Sequence, residues 1–375
     1  MPFAKYRNYK IHYEFNDEGN GPVVIFINGI IMNTGHWVGF REQLIKYGIR
    51  TISYDQLGQG SSDHPVLDYD FEENPDIIAA VLDACGVKKA YIAGISFGGS
   101  IVLKFALKYP DRCAGLIPMS TFSELDRRLL YMGTTMWDGM VRVGFEYILD
   151  QLIPINFSSK FIDGLGANVP TIRRHAANVN DLFGIQNLIE SIRNMPMEGF
   201  TAELPKITAP TLILNAEHDP LTPRWAHEVI RKNIKNCRLM LIQNGYHAFT
   251  IEFPAISIRV LREFIQSVEN GTWKGDQSVW IATDDVDSEH CAFPCEGDHT
   301  RSIPIMRKPE ENKPASQTAT TPTAKPAVKP TVKPAVKPAV KPTVKPAVKP
   351  AVKPAVKPAV KPAVKPAVKP AVKPA

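Results

Sequence analysis

Cysteine is scarce: Cys85, Cys113, Cys237, Cys291 and Cys295 are the five in a chain of 375 residues. An odd count leaves one without a partner in any disulfide scheme, and five in a chain of this size read as reduced thiols of a cytosolic protein. Long apolar runs are missing too. No segment approaches the roughly 20 apolar residues of a membrane-spanning helix, and the opening MPFAKYRNYKIHYEF has charges every few positions, with no apolar run of signal-peptide length. These absences predict a soluble, cytoplasmic protein. The stretch from Lys325 to Ala375 lacks acidic and aromatic residues altogether and repeats Lys-Pro-Ala-Val with a few threonine replacements. Such a sequence cannot build a core.

That tail also decides how the charge is read. The net charge is +6, but thirteen lysines lie beyond residue 324 and subtracting them leaves −7 for residues 1–324. A polyanion partner is therefore expected of the tail alone. Proline at every fourth position excludes helix and sheet and favours an extended polyproline II chain, rising about 3.1 Å per residue and reaching about 150 Å. Charges about 12 Å apart on such a chain are too sparse for tight duplex binding, and a solubilising spacer accounts for the composition equally well. Residues 313–375 are read as this disordered basic tail.

The preceding sequence alternates short β-rich runs with segments of helical period. YKIHYEF (9–15) alternates polar and apolar residues, as an edge hairpin strand does, whereas VVIFIN (23–28), IRTISYD (49–55) and KAYIAGI (89–95) are nearly continuous apolar runs suited to strands buried on both faces. Between them lie helical candidates at 39–48, 76–86 and 98–110, each closed by Gly or Pro. This predicts the α/β class, with a mostly parallel sheet of about eight strands and helices on both faces. Residues 1–122 and 205–270 form its two parts. Residues 123–204 look helical and interrupt it as a cap over the ligand edge. Residues 271–312, polar with Trp273 and Trp280, are expected to be an irregular appendage.

Chemistry concentrates where strands end. In YIAGISFGGS (91–100), Ser96 follows a buried strand and precedes a helix, with Gly94 and Gly98 permitting the sharp turn that exposes a nucleophilic hydroxyl. A serine needs a base and an orienting acid. His247, in NGYHAF, follows the last strand of the pattern, and Asp219, in NAEHDPLTP, follows the strand before it. All three fall at carboxyl ends of strands, in the order Ser, Asp, His. Glu217 is the alternative acid, and Asp219 at an Asp-Pro step also suits a turn. The oxyanion donors would be the backbone N–H of Phe97 and that of Ile30, or of Ile31, in the loop after the strand at 23–28. Asn28, Gly29, Trp37 and Trp137 are expected to bind substrate, with Met136 a further pocket candidate.

These motifs, GISFGG, INGIIMNTGHW, YDQLGQGSSD, NAEHDPLTP and NGYHAF, resemble the α/β-hydrolase fold superfamily over residues 5–270. The resemblance implies a capped serine enzyme that cleaves a carboxylic ester, lactone or thioester through an acyl-enzyme. Haloalkane dehalogenases and epoxide hydrolases of this fold carry aspartate at the elbow, so Ser96 argues against those activities. Asn28-Gly29, where most members carry His-Gly, is loosely similar to the 3-hydroxyacyl acyltransferases of rhamnolipid and polyhydroxyalkanoate precursor synthesis. That similarity would make acyl-CoA or acyl carrier protein a partner and give the tail a granule surface to contact. Hydrolysis is preferred over transfer, and a non-catalytic binding protein working through its tail is the rival from another class.

The resemblance implies no organic cofactor. His290, Cys291, Cys295 and His299 are potential zinc ligands, but the C-x3-C spacing matches no recognised finger and no metal is expected. Asp55 and the glycines of DQLGQGSSD read as turn-formers.

Overall fold

The computed structural model describes residues 2–65, 70–283, 285–296 and 305–306. The chain divides into one compact unit, Met1–Lys313, and a second, Pro314–Ala375. The second unit, with the tail expected at 313–375, lies outside the described residues.

Eight strands form the predicted sheet: β1 (Phe3–Tyr6), β2 (Tyr9–Asn16), β3 (Val23–Ile27), β4 (Arg50–Tyr54), β5 (Ala90–Ile95), β6 (Cys113–Met119), β7 (Thr211–Ala216) and β8 (Cys237–Ile242). They lie in the order β1-β2-β4-β3-β5-β6-β7-β8. β1 and β2 form an antiparallel edge hairpin, β2 pairs antiparallel with β4, and β4 through β8 run parallel. Every residue of β3, β5 and β7 is buried. Their uninterrupted apolar runs follow from helices covering both faces.

Side chains alternate between the faces. Val23, Ile25 and Ile27 join one apolar cluster with α2 (Asn74–Ala84), α3 (Phe97–Lys108) and Ile230 of α9 (Arg224–Asn233), whereas Val24 and Phe26 join another. That second cluster contains Phe40 and Leu44 of α1 (Val38–Leu44), Phe249 of α10 (Phe249–Glu252), and Leu261 and Phe264 of α11 (Pro254–Glu269). Between β6 and β7 the chain leaves the sheet as five helices: α4 (Arg127–Arg142), α5 (Phe145–Asn156), α6 (Ser159–Leu165), α7 (Val169–Val179) and α8 (Leu182–Arg193). Asp126, Ser158 and Asp181 cap α4, α6 and α8 through side-chain oxygens that accept N–H groups of the first turn. The insert meets the carboxyl edge of the sheet. Gln59, beyond β4, bridges to Asn180, and the Ala248 N–H, beyond β8, donates to the Asn156 carbonyl at 3.0 Å.

One expectation is corrected. The segment read as an irregular appendage instead extends the sheet to eleven strands, with β9 (Val279–Ala282) parallel to β8, then β10 (Ala292–Glu296) and β11 (Ile305–Met306), both antiparallel. Strands of four, five and two residues are too short to display a period, and what makes them strands is the open edge of β8. Among the described residues no helix is long and apolar enough to cross a membrane.

Candidate active site

The end of β5 turns abruptly into α3 at Ser96, whose φ of 57° and ψ of −122° lie where few non-glycine residues go. Such a conformation costs about 1–3 kcal/mol and persists only where surroundings impose it. The Ser96 N–H donates to the Met119 carbonyl at 2.8 Å, and its carbonyl accepts from the Thr121 hydroxyl at 2.7 Å and the Gly99 N–H at 2.9 Å. Gly98 is obligatory at this turn, because a Cβ there would stand 2.5 Å from the carbonyl oxygens of both Ile27 and Asn28. The N–H of Phe97, at the first position of α3, is one of the four that a helix leaves without an internal acceptor.

Gly29 brings the loop after β3 against Ser96, since a Cβ built on it would lie 3.4 Å from the Ser96 Cβ. The loop is pinned from behind. The Met32 N–H donates to Gln59 Oε1 at 2.9 Å, the Thr34 N–H to Asp55 Oδ1 at 2.7 Å, and Gln56 to the Asn28 carbonyl. Asp55 also accepts from the Ser61 N–H and faces His12 Nδ1 at 3.0 Å, so its place is in the scaffold beneath the loop. Ile30, half-buried beside Gly29, and Ile31, with φ of 70°, occupy the segment that would carry the second oxyanion donor.

Asp219 and His247 meet at the ends of β7 and β8. His247 Nδ1 lies 2.9 and 3.1 Å from the two Asp219 oxygens, and both side chains are almost fully buried. Asp219 also accepts the N–H groups of Leu221 and Thr222 and the Thr222 hydroxyl, at 2.8 to 2.9 Å. Turn-forming and pairing with histidine thus coexist in one carboxylate. Burial alone would raise its pKa, but His247 and the Thr222 donors outweigh burial and hold it below the ordinary carboxylate range. An ionised Asp219 places the ring proton on Nδ1 and leaves His247 Nε2 as the basic lone pair. Glu217 instead accepts from the Asn244 N–H.

The expected substrate contacts divide. Trp37 is 1% exposed, stacked on Phe26 with ring centres 4.6 Å apart, and its indole N–H donates to Asn28 Oδ1 at 2.7 Å. Asn28, fully buried, donates in turn to the Tyr54 carbonyl at 3.0 Å. Both are therefore parts of the core under the loop, since a 3-10 turn at Thr34–Trp37 aims the indole at the sheet. Trp137 and Met136 sit half-buried in α4, with the Arg193 guanidinium 4.7 Å over the Trp137 ring. Cys291 and Cys295 are buried in different apolar clusters and His299 lies outside the described residues. Among the described residues no three metal-binding side chains are gathered.

The sequence reading passed over His227, on α9. It is fully buried, its Nδ1 lies 3.4 Å from the Pro223 carbonyl, and its Nε2 accepts the Thr121 N–H at 2.8 Å. Burial pushes its pKa down to about 4, against the pull of Asp219. The available signal was the amphipathic run RWAHEVIRKN between β7 and β8; nothing local says which of its faces meets the site. Between pH 6.5 and about 4 the unfolded chain binds a proton that folded His227 refuses. Its contribution to stability is thus fully present above pH 6.5 and falls as pH falls through that window, by roughly 2–3 kcal/mol near its lower end. Denaturation midpoints of the native protein and His227→Gln, compared at pH 7 and 4.5, check this: the native protein should lose that much more.

Comparison with known proteins identifies the fold family. Residues 22–254 match the family described as alpha/beta hydrolase fold. A proline iminopeptidase of Saccharolobus solfataricus is 29% identical over 248 residues, 60% of this chain and 78% of that protein. An alpha/beta hydrolase enzyme, MGS-M2, from a Medee basin deep-sea metagenome library superposes with a TM-score of 0.65 at 26% identity, covering 71% of this chain and 97% of its own. The enol-lactonase from Burkholderia xenovorans LB400 superposes equally, TM-score 0.65, at 19% identity over 71% and 100% of the two chains. The chain belongs to the α/β-hydrolase fold family, and it is a hydrolase.

Proposed function

We propose that this protein hydrolyses a carboxylic ester, lactone or thioester of a medium, largely apolar acyl group through an acyl-enzyme on Ser96. The observation that carries the reading is the buried Asp219–His247 pair at the strand edge where Ser96 stands in its left-handed turn. His247 Nε2 takes the proton of the Ser96 hydroxyl as its oxygen attacks the carbonyl carbon. The oxyanion forms against the N–H groups of Phe97 and Ile30, and the leaving alcohol or thiol departs with the proton from His247. Water, deprotonated by the same nitrogen, then releases the acid and restores the serine. Asn28 is held by buried hydrogen bonds to Trp37 and the Tyr54 carbonyl, a scaffold role that supports reading it apart from acyl transfer. Five free thiols support a reducing, cytoplasmic setting.

The test combines a fluorophosphonate probe with p-nitrophenyl esters of graded chain length and, separately, 3-hydroxyacyl-CoA thioesters. We expect covalent labelling of the native protein and release of free acid. A folded protein that resists the probe would sink the serine mechanism. Acyl dimers or exchanged thioesters as the main products would replace hydrolysis by transfer.

A further inference from the structure

Two residues at neighbouring strand ends depart together from ordinary backbone geometry: Ser96 after β5, and Ser120, with φ of 40°, after β6. Their strain has a common consequence. The left-handed step at Ser120 separates the Met119 carbonyl, which accepts the Ser96 N–H, from Thr121, whose hydroxyl donates to the Ser96 carbonyl. The end of β6 thereby grips both peptide groups of the nucleophile. The grip is close: Gly99 packs so tightly on Thr121 that a Cβ would lie 2.6 Å from the threonine Cβ. Ser120 is held by its N–H on the Leu214 carbonyl at 2.9 Å. The Thr121 N–H has no strand to bond to, since β6 has ended, and the atom that receives it at 2.8 Å is His227 Nε2.

We propose that His227 is a positioning residue for the Ser96 turn, holding the strained nucleophile in register with Asp219 and His247 through Thr121. This rests on the reading of Ser96 as nucleophile. Nδ1 donates to the carbonyl of Pro223, the residue just before α9, so Nε2 presents its lone pair and the ring is neutral. His227 touches neither substrate nor the reacting atoms. Its work is to anchor Thr121, whose side chain fixes the carbonyl of Ser96. α9 also begins just beyond Asp219, so one short segment carries both the acid of the triad and the anchor of the elbow. The imidazole sits too deep to act on substrate and too low in pKa to serve as a base near neutrality.

The experiment compares His227→Gln, whose Oε1 can reach the place of Nε2 and accept the Thr121 N–H, with His227→Leu, which fills the space and accepts nothing. Thr121→Val, which removes the hydroxyl alone, is the third variant. Hydrolysis of a p-nitrophenyl ester is followed with kcat and KM resolved, alongside fluorophosphonate labelling rates and Tm. We expect H227L to lose kcat on the order of a hundredfold, as a displacement of about 1 Å does, with KM within about twofold of native. H227Q should recover all but about threefold of that loss, and T121V should fall roughly tenfold with the hydrogen bond to the Ser96 carbonyl gone. Equal kcat in native protein and folded H227L overturns the role, as does H227Q no better than H227L. Where H227L does not fold, native kcat in T121V overturns it. Native protein that the probe never labels overturns the nucleophile reading itself, and the positioning role falls with it.

Discussion

Replacing Ser96 by alanine should abolish turnover, lowering kcat on the order of a millionfold, because in the proposed mechanism its oxygen takes up the acyl fragment. What would remain is the rate that oxyanion donors and binding support alone, roughly 10³–10⁴ over water. The substitution is a clean one. Alanine meets the same steric penalty as serine at φ of 57°, and the hydrogen bonds that fix the turn run through the residue's own N–H and carbonyl, which alanine keeps. Tm should therefore stay near the native value while fluorophosphonate labelling vanishes. Both readings come from one sample, so loss of activity through unfolding is told apart from loss of the nucleophile. Turnover that survived S96A at more than a per cent of native would place the chemistry elsewhere.

The second large effect belongs to Asp219→Asn, for which we expect kcat to fall about 10⁴-fold at neutral pH. The carboxylate lies 2.9 and 3.1 Å from His247 Nδ1 and, by accepting its N–H, keeps the ring proton on that nitrogen. An asparagine turned with its amide toward His247 donates instead of accepting, so the proton moves to Nε2 and the lone pair that should receive the Ser96 proton is lost. Turned the other way, its oxygen serves His247 but its amide faces the Leu221 and Thr222 N–H groups that Asp219 now satisfies. Neither orientation meets all the donors, and an unmet buried donor costs about 1–3 kcal/mol. Lower kcat with a modestly lower Tm is the expected pair of results. A kcat within tenfold of native would return Asp219 to the role of turn-former and leave His247 without an orienting acid.

Much of the placement of these residues is legible in the sequence. Ser96, Asp219 and His247 each follow a run of apolar residues that can only be a buried strand, and parallel strands all present their carboxyl ends on one edge. Residues far apart in the chain are thus brought to a common edge by connectivity alone. Gly98 was legible for a related reason: where a Cβ would stand 2.5 Å from neighbouring backbone no other residue fits, so glycine announces the contact without naming its partner.

Trp37, Asn28 and His227 were not legible. A tryptophan near a ligand edge reads as a pocket wall or as core according to the direction of one short turn. Here the turn at Thr34–Trp37 drives the indole onto Phe26 and gives its N–H to Asn28. His227 was hidden because its partner Thr121 is 106 residues away and its helix showed no unusual pattern. The three added strands escaped notice because they are short and owe their pairing to the exposed edge of β8.

The amino-acid sequence by itself therefore determined the layering, the parallel sheet and the three residues at its edge, because hydrophobic period and strand connectivity are local properties with a global geometric consequence. Tertiary structure alone decided which of the candidate polar groups are tied into the scaffold. Asn28, Asp55, Trp37 and His227 are all residues that a site could use. Their roles depend on what stands within 3 Å of each hydrogen-bonding atom, and those neighbours come from distant parts of the chain, brought together only when the two faces of the sheet are packed.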